Sequence, residues 1–404
     1  MNSPSFDELT RAVAEDRLRL HYQPKVCLLS GEVTGAEALV RWEHGDDGEM
    51  LSPDAFLPLA VAEGMLHDIT LNLLDQTVQA CIALRATGRD LSISMNVAPD
   101  DLESQTISDR IRSLLDTGTI TSSELQIEIT ESAVMSNVER VRDDLQRLVS
   151  MGIAVLMDDF GIGYSSIDRL SQLPFSSLKL DQGIVRRMGT SRQNVNTVRA
   201  AISMARELRM TSVAEGVESE GAYHFLIACG CEQAQGFFIA RPMALDDFTD
   251  FLASPRTFAG SQIGQVQQAV LNLLHQRRNV LDAAFCVRFG QESVLPSVMD
   301  PERSVAVQGS RVGTWYWGPG QGLADSEHFR AFESPFRELY ALSEHCLELV
   351  GAGVSDARLD TALAALDAGT DRAIALLHAL ERELVKRPAD GAADGVADGA
   401  SGTA

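Results

Sequence analysis

Residues 153–161 read IAVLMDDFG, an apolar run that ends in two adjacent aspartates and a glycine. A short apolar run of this length, bounded by a turn residue, predicts a buried β-strand. One acid at a strand end most often caps a helix or lies in a solvated loop. The pair of aspartates therefore indicates a site only if other strands of the chain end in a similar way.

Seven further apolar runs between about residues 16 and 245 have this form and alternate with helical patterns. They read LRLHYQPKVCL, EVTGAEALVRW, LSISMNVA, LQIEITES, LKLDQGIV, TSVAEGVE and AQGFFIARP. Residues 53–88 and 137–152 carry apolar residues at three- and four-residue steps, which predicts helices. Eight strands interleaved with helices indicate an α/β fold, and both a closed barrel and an open doubly wound sheet fit this alternation.

Polar residues at the ends of these runs favour the barrel. They are Glu37, Asn96, Glu128, Asp158, Asp159, Lys179, Glu215 and Gln235. In a barrel the carboxyl ends of the strands converge on one mouth, whereas an open sheet spreads them along a line. We therefore expect a (β/α)8 barrel that gathers these side chains around one ligand.

The converging acids predict a metal site. Buried carboxylates repel one another and need cations, and oxygen ligands with an amide suit Mg²⁺ or Mn²⁺ better than zinc. Adjacent Asp158 and Asp159 are able to serve two metals, which together activate a water and stabilise the leaving oxygen of a phosphodiester. Lys179 offers a compact charge for that water or a phosphate oxygen, and Glu215 is placed to orient or deprotonate the water. Arg41 offers a planar fork for a phosphate or a guanine edge.

Composition limits the class of protein. The 404 residues are 45% hydrophobic and 23% charged, which is typical of a globular chain of two or three domains. A formal charge of -23 opposes binding to a nucleic-acid backbone, so we expect no DNA partner. Six scattered cysteines, an N-terminus without signal-peptide features and no apolar run of about 18 residues predict reduced thiols, a cytoplasmic location and no membrane contact.

In their order the strand-end motifs resemble the EAL family of cyclic-di-GMP phosphodiesterases. The matching stretches are YQPK at 22–25, EALVRW at 37–42, NVAP at 96–99, EITES at 128–132, DDFGIGYSS at 158–166, LKLD at 178–181, AEGVES at 214–219 and QGFFIARP at 235–242. The resemblance covers about residues 5–250. It implies a (β/α)8-type barrel with an unusual first strand, which hydrolyses cyclic di-GMP to linear pGpG.

The resemblance also implies a role for each matching residue. Glu37, Asn96, Glu128 and Asp158 would hold one Mg²⁺ or Mn²⁺, and Asp158 with Asp159 would reach a second. Lys179, Glu215 and Gln235 would position or activate the water, and Glu131 would brace the DDFG loop. The substrate would be contacted by Gln23, Leu39, Arg41 and Asp181, with Glu218 supporting the site.

Two positions depart from the family pattern. Ile162 replaces a usual threonine in the loop after the aspartates, and Phe237 replaces a usual tyrosine. An isoleucine lacks the hydroxyl of threonine, so we expect this difference to affect closure of the loop and the rate of turnover. The alternative function is therefore a cyclic-di-GMP receptor with little hydrolysis that signals through protein contacts.

The C-terminal third predicts a helical bundle at 263–387, after a barrel at 1–252 and a linker at 253–262. Residues 262–285, 336–353 and 357–385 have amphipathic spacing, and a loop-like stretch contains GSRVGTWYWGPG at 309–320. That stretch resembles the core of the chemoreceptor zinc-binding domain, and His275 falls where its first histidine is expected. However, Ser310 occupies the cysteine position and the closing histidine pair is missing, so we expect no zinc site. Zinc held by Cys286, Cys346, His328 or His378 remains an alternative, as does an unrelated partner-binding helical module.

The remaining expectations concern assembly. Trp315, Tyr316 and Trp317 are expected as packing anchors, and the bundle as a regulatory or dimerising unit able to bind a signalling protein. The family resemblance suggests a homodimer through the barrel. Residues 388–404, rich in alanine, aspartate and glycine, offer nothing to bury and are expected to be a disordered tail.

Overall fold

The chain divides into two compact units in the computed structural model, Met1–Gly260 and Ser261–Ala404. The residues described are 4–45, 49–98, 101, 105–131, 138–161, 170, 173–254, 258, 262–290 and 307–386. Ile162 with the loop that follows it, and the predicted tail at 388–404, lie outside these residues.

The described part of the first unit contains one sheet of nine strands. They are β1 (Leu18–Cys27), β2 (Val33–His44), β3 (Glu49–Leu51), β4 (Ser92–Asn96), β5 (Leu125–Thr130), β6 (Ala154–Phe160), β7 (Ser177–Leu180), β8 (Thr211–Ala214) and β9 (Gln233–Ala234). Their order is β1-β9-β8-β7-β6-β5-β4-β2-β3, and β1 also pairs with β2. Eight strands therefore close into a ring, and β3 is a short addition to β2.

The first strand differs from the others in direction. β1 runs antiparallel to both β2 and β9, whereas the pairs from β2 through β4 to β9 are parallel. The ring confirms the predicted barrel and excludes the open sheet. Because seven strands run the same way, their carboxyl ends meet at one end of the ring, which we call the mouth, and their amino ends meet at the floor.

Helices cover the outside of this ring because their apolar faces have to be buried against it. Their bounds are Phe6–Ala14, Leu57–Ala62, Leu66–Arg85, Thr106–Asp116, Val138–Ser150, Gln182–Arg187, Arg192–Glu207, Glu220–Ala228 and Leu245–Ala253. In Arg192–Glu207 the hydroxyl of Ser191 caps the first turn and Val198, Ile202 and Ala205 are buried.

The last strand of the ring is short. AQGFFIARP predicts a strand and the loop that follows it, and β9 ends at Ala234. Gly236 has a φ of +155°, and a Cβ there would lie 2.2 Å from the backbone N and O of Val217. This close approach turns the chain out of the sheet immediately after Gln235.

The second unit is helical, as predicted, with helices Gln262–Arg288, Arg311–Trp317, Glu327–Gly351 and Ala357–Lys386. Two details differ from the prediction. Arg311–Trp317 is a helix rather than a loop, because the Ser310 hydroxyl accepts a hydrogen bond from the Gly313 N–H at 3.1 Å and caps it. Glu327–Gly351 begins nine residues early, because it tolerates Pro335 in its interior at the loss of one backbone hydrogen bond.

The core of the second unit contains the predicted aromatic anchors. Trp315 is fully buried, its ring centroid lies 5.8 Å from that of Phe329, and its Nε1 donates to Oε1 of Gln265 at 3.3 Å. Tyr316 is buried as well, whereas Trp317 is half-buried beneath the Arg337 guanidinium. In neither unit do the described helices include one with the length and apolarity to span a bilayer.

Candidate active site

Four strands bring charged side chains to the mouth of the barrel. Glu37 lies in β2, Glu128 in β5, Asp158 in β6 and Lys179 in β7, while Glu215 and Gln235 directly follow β8 and β9. Asn96, the last residue of β4, is the register partner of Glu128. These seven residues, together with Asp159 near the end of β6, are the eight predicted strand-end residues, and they lie at this end of the ring.

Lys179 is the centre of this group and is fully buried. Its Nζ lies 3.2 Å from Oε2 of Glu37, 3.1 Å from Oδ1 of Asp158 and 2.6 Å from Oε1 of Glu215. It also donates a hydrogen bond to Oε2 of Glu128. We call these four carboxylates and the ammonium they share the Lys179 cluster.

Two side-chain amides complete the surroundings of Glu37. Asn96 Nδ2 donates to Oε1 of Glu37 at 2.9 Å. Gln235 Nε2 donates to Oε2 of Glu37 at 2.5 Å, and it lies 3.4 Å from Oε1 of Glu215. Both oxygens of Glu37 are thus held, which fixes the orientation of this carboxylate.

One ammonium cannot satisfy four carboxylates equally, and the pKa values of Glu37, Glu128 and Glu215 are shifted in different directions. Burial alone would raise the pKa of Glu37, but Lys179 and the amides of Gln235 and Asn96 outweigh it and lower this pKa to about 2. Burial and repulsion from Glu37 raise the pKa of Glu128 to about 7. Burial also raises the pKa of Glu215, against the attraction of Lys179, and the surrounding acids hold the pKa of Lys179 above its usual value despite burial. Four carboxylates thus share a single buried ammonium.

The donor set fits a divalent cation. One oxygen each from Glu37, Glu128 and Asp158 lie within 4.8 Å of one another. Glu128 Oε1 and Gln235 Oε1 are buried, and neither has a hydrogen-bond partner among the described residues. Unpaired buried oxygens are costly, and carboxylate and amide oxygens are the ligands that Mg²⁺ and Mn²⁺ prefer. Asp159 lies beside this set, half-buried, and its N–H donates to Oδ1 of Asp158 at 2.9 Å.

The turn after the aspartates is tightly held. Asp159 has a φ of +59° and Gly161 one of +103°, both in the left-handed region. A Cβ on Gly161 would lie 2.2 Å from Cδ1 of Ile184. Glu131 Oε2 accepts a hydrogen bond from the Gly161 N–H at 3.0 Å, so this carboxylate contacts the turn that it is predicted to brace.

The residues predicted to contact substrate have local partners. Gln23 Nε2 donates to the Ala240 carbonyl at 3.2 Å, and Arg41 Nη1 donates to the Val40 carbonyl at 2.8 Å. Leu39 is half-buried in β2.

Asp181 and Glu218 lie outside the Lys179 cluster. Asp181 caps the helix Gln182–Arg187 by accepting from the Gly183 N–H at 2.9 Å. Glu218 forms an exposed ion pair with Arg186. Phe237 is 45% exposed, with the Arg241 guanidinium carbon 4.2 Å from its ring centroid.

Sequence reasoning missed a second buried lysine. Lys25 in β1 is 1% exposed, and its Nζ donates to Ser94 Oγ at 2.9 Å and to Gln126 Oε1 at 3.1 Å. The available signal was its position two residues after Gln23, which places both side chains on the same face of β1.

A closed barrel with a buried acidic cluster at its mouth defines a (β/α)8 class of protein with a candidate metal site. Comparison with protein families matches residues 7–242 to the EAL domain. The chain belongs to the EAL domain family.

Named relatives and solved structures agree with this assignment. The chain is 35% identical over 264 residues to the cyclic di-GMP phosphodiesterase NbdA of Pseudomonas aeruginosa, covering 65% of this chain and 34% of NbdA. It is 35% identical over 248 residues to the cyclic di-GMP phosphodiesterase RocR of the same organism, covering 61% of this chain and 63% of RocR. The structure of the PaMucR phosphodiesterase in a c-di-GMP complex matches with a TM-score of 0.57 and 35% identity, covering 60% of this chain and 98% of that one. The chain therefore spans only part of the length of these curated relatives.

Proposed function

We propose that the barrel hydrolyses cyclic di-GMP to linear pGpG, using two Mg²⁺ or Mn²⁺ ions at its mouth. The observation that carries this proposal is the buried Lys179 cluster, with three carboxylate ligand atoms within 4.8 Å of one another. The EAL domain match and the named activity of the relatives support the choice of substrate.

The proposed metal ligands are the oxygen donors at the carboxyl ends of the strands. Glu37, Asn96, Glu128 and Asp158 would hold one ion, and Asp158 with Asp159 would reach the second. Bound divalent cations lower the pKa of a water and stabilise the charge of the leaving oxygen. The fit rests on the unpaired Oε1 atoms of Glu128 and Gln235 and on the sharing of one ammonium by four carboxylates.

The remaining cluster residues act on the water and the phosphate. Lys179 holds the attacking water or a phosphate oxygen, and Glu215 orients or deprotonates the water. Gln235 orients the water through its free Oε1. One P–O3′ bond breaks, the hydroxyl adds to phosphorus, and a proton passes to the departing 3′ oxygen.

The substrate contacts are proposed for the residues around the cluster. Arg41 presents a guanidinium to a phosphate or a guanine edge. Gln23, Leu39 and Asp181 contact the nucleotide, and Glu218 supports the site from the helix side. Glu131 acts through the turn at Gly161, whose N–H it binds.

The helical unit is proposed to regulate turnover, through a homodimer or a signalling protein partner. Its separate hydrophobic core around Trp315 supports a unit with a role of its own. The test compares the wild-type chain with Trp315→Ala, which disrupts this core. A difference between Trp315→Ala and wild type in turnover, or in the molar mass measured by light scattering, supports the proposal. The same turnover and the same molar mass in the two proteins contradict it.

The test of the proposed function measures pGpG release by purified protein with Mg²⁺ or Mn²⁺. Wild type is compared with Glu37→Gln, and Lys386→Met, an exposed lysine of the second unit, serves as the control. Release by wild type and the control, with loss in Glu37→Gln, is the expected result. Tight binding of cyclic di-GMP without release in either metal would contradict hydrolysis and favour the receptor.

A further inference from the structure

The second buried lysine of the barrel lies beneath the Lys179 cluster. Lys25 is the register partner of Gly35 in β2, and Gln23 is the partner of Glu37. Because β1 runs antiparallel to β2, moving from Gln23 to Lys25 leads away from the mouth. Lys25 therefore reaches the barrel interior from below the level of Glu37.

The hydrogen-bond acceptors of Lys25 lie below two other predicted metal ligands. Ser94 and Gln126 are register partners on β4 and β5, and each lies two residues before a predicted metal ligand, Asn96 and Glu128. Side chains two residues apart point to the same side of a strand. Ser94 and Gln126 thus form the interior layer directly beneath Asn96 and Glu128, and they hold Lys25 Nζ in that layer at 2.9 and 3.1 Å.

The contact between Lys25 and the cluster is electrostatic. Its Nζ lies 3.6 Å from Oε1 of Glu128, which is too long for a hydrogen bond. The other oxygen of Glu128 is hydrogen-bonded to Lys179, whereas Oε1 has no hydrogen-bond partner among the described residues. Lys25 thus adds positive charge next to Glu128 without occupying the lone pairs of Oε1.

The small number of lysines in this chain also supports a role for Lys25 beside the acids. Only three of its 34 lysines and arginines are lysines: Lys25, Lys179 and Lys386. Lys25 and Lys179 are buried in the barrel, and Lys386 is exposed. In a chain that uses arginine for almost every other cation, the two buried lysines of the barrel therefore supply compact ammonium groups beside the acids.

We propose that Lys25 is a positioning residue of the metal site, a fixed counter-charge at the floor that keeps the carboxylates together while leaving Oε1 of Glu128 free for a cation. This inference rests on the proposed function, because it concerns the same metal site. Lys25 does not contact substrate; it acts through Glu128, and Ser94 and Gln126 hold it in place.

The test is Lys25→Met, which removes the ammonium and keeps an unbranched chain, with Lys386→Met as the matched control. Mn²⁺ binding to the metal-free proteins is measured by calorimetry, without nucleotide. Residues that support metal ligands typically affect metal affinity by about 10–100-fold, and we expect a loss of this size in Lys25→Met and none in the control. If turnover is present, kcat falls while KM for cyclic di-GMP stays within about twofold of wild type, as expected for a residue that acts through the metal site.

A second readout separates positioning from simple packing. A packing residue lowers the melting temperature equally with and without Mn²⁺, whereas a positioning residue reduces the rise that Mn²⁺ produces. Wild-type Mn²⁺ affinity in a folded Lys25→Met protein would overturn the proposal. If Lys25→Met does not fold, Gln126→Met keeps the lysine but removes one of its acceptors; weaker Mn²⁺ binding supports the proposal and wild-type binding overturns it. Because these titrations contain no substrate, they give an answer even if the protein proves unable to hydrolyse cyclic di-GMP.

Discussion

Nζ of Lys179 lies 2.6 Å from Oε1 of Glu215, although the two residues come from different strand ends of the barrel. The same ammonium also contacts Glu37, Asp158 and Glu128. A single buried cation is therefore the shared partner of four acids. Removing one partner of a buried ion pair leaves uncompensated charge, which is far more costly than losing a surface pair.

Lys179→Met is accordingly expected to lower the free energy of unfolding of the metal-free protein by about 3–5 kcal/mol. Turnover should fall by about 10²–10³-fold, because the charge that holds the water or a phosphate oxygen is gone. Urea unfolding in a chelator and pGpG release measure the two effects. Lys386→Met should leave both unchanged, and a stable, active Lys179→Met protein would contradict the assigned role.

Glu128→Gln should stabilise the metal-free protein at alkaline pH. The pKa of Glu128 is raised to about 7 in the folded chain, above its ordinary value of 4.5. The folded state therefore binds this proton more tightly, so the stability from Glu128 is fully present below about pH 4.5 and is lost as the pH rises through 7. Glutamine does not titrate, so the variant should be more stable by about 1–3 kcal/mol at pH 8 and close to wild type at pH 5.

Glu124→Gln is expected to change the free energy of unfolding in the opposite direction to Glu128→Gln at pH 8. Arg85 lowers the pKa of Glu124, with hydrogen bonds from its Nε and Nη2 at 2.7 Å. Its stabilising contribution is present above the unfolded pKa, so Glu124→Gln should lose up to about 1 kcal/mol at pH 8. Both variants are compared with wild type by urea unfolding in a chelator at pH 5 and pH 8. If both variants are more stable than wild type at pH 8, or both less stable, the electrostatic description of Glu128 is contradicted.

Gly161→Ala should damage the turn that follows the two aspartates. Its φ of +103° is unfavourable for alanine, and the added Cβ would meet Cδ1 of Ile184 at 2.2 Å. We expect a loss of about 1–3 kcal/mol in stability and weaker Mn²⁺ binding, since Asp158 and Asp159 immediately precede the turn. Gly221→Ala is the control, because a Cβ there meets nothing within 4 Å and the residue lies in the helix Glu220–Ala228. If both variants unfold at the same urea concentration, the strain argument fails.

Ser310→Ala tests the unexpected helix of the second unit. The Ser310 hydroxyl accepts from the Gly313 N–H at 3.1 Å and donates to the Val307 carbonyl at 2.7 Å. Loss of such a cap costs about 0.5–2 kcal/mol. Exposed Thr314→Ala should change stability by less than about 0.5 kcal/mol. The difference is read from thermal unfolding monitored by tryptophan fluorescence.

The barrel and its acidic mouth were predictable because both follow from local patterns. Apolar runs mark the strands, and parallel strands force their carboxyl ends together, so Glu37, Glu128 and Asp158 meet without any knowledge of side-chain contacts. Lys25 could not be found this way. Its place at the floor depends on β1 running antiparallel, which no local pattern of apolar residues encodes.

Capping contacts escaped prediction for a related reason. A serine next to a glycine-rich stretch fits a loop and a helix start equally well, and the burial of Trp315 decides in favour of the helix. The end of β9 at Ala234 likewise depends on the close approach of Gly236 to Val217, two residues that lie 19 positions apart in the sequence.

The join between the first and last strands of the ring has a consequence for how the protein is made. β1 and β9 pair only through Val26 with Ala234 and Cys27 with Gln233, extended by the hydrogen bond from Leu28 N–H to the Glu232 carbonyl. During synthesis β1 leaves the ribosome some 200 residues before β9. Until β9 is made, β1 can pair only with β2, and its other edge stays unpaired. Gln235 directly follows the joining pairs, and we therefore expect the acidic mouth to be completed in the same late step that closes the ring.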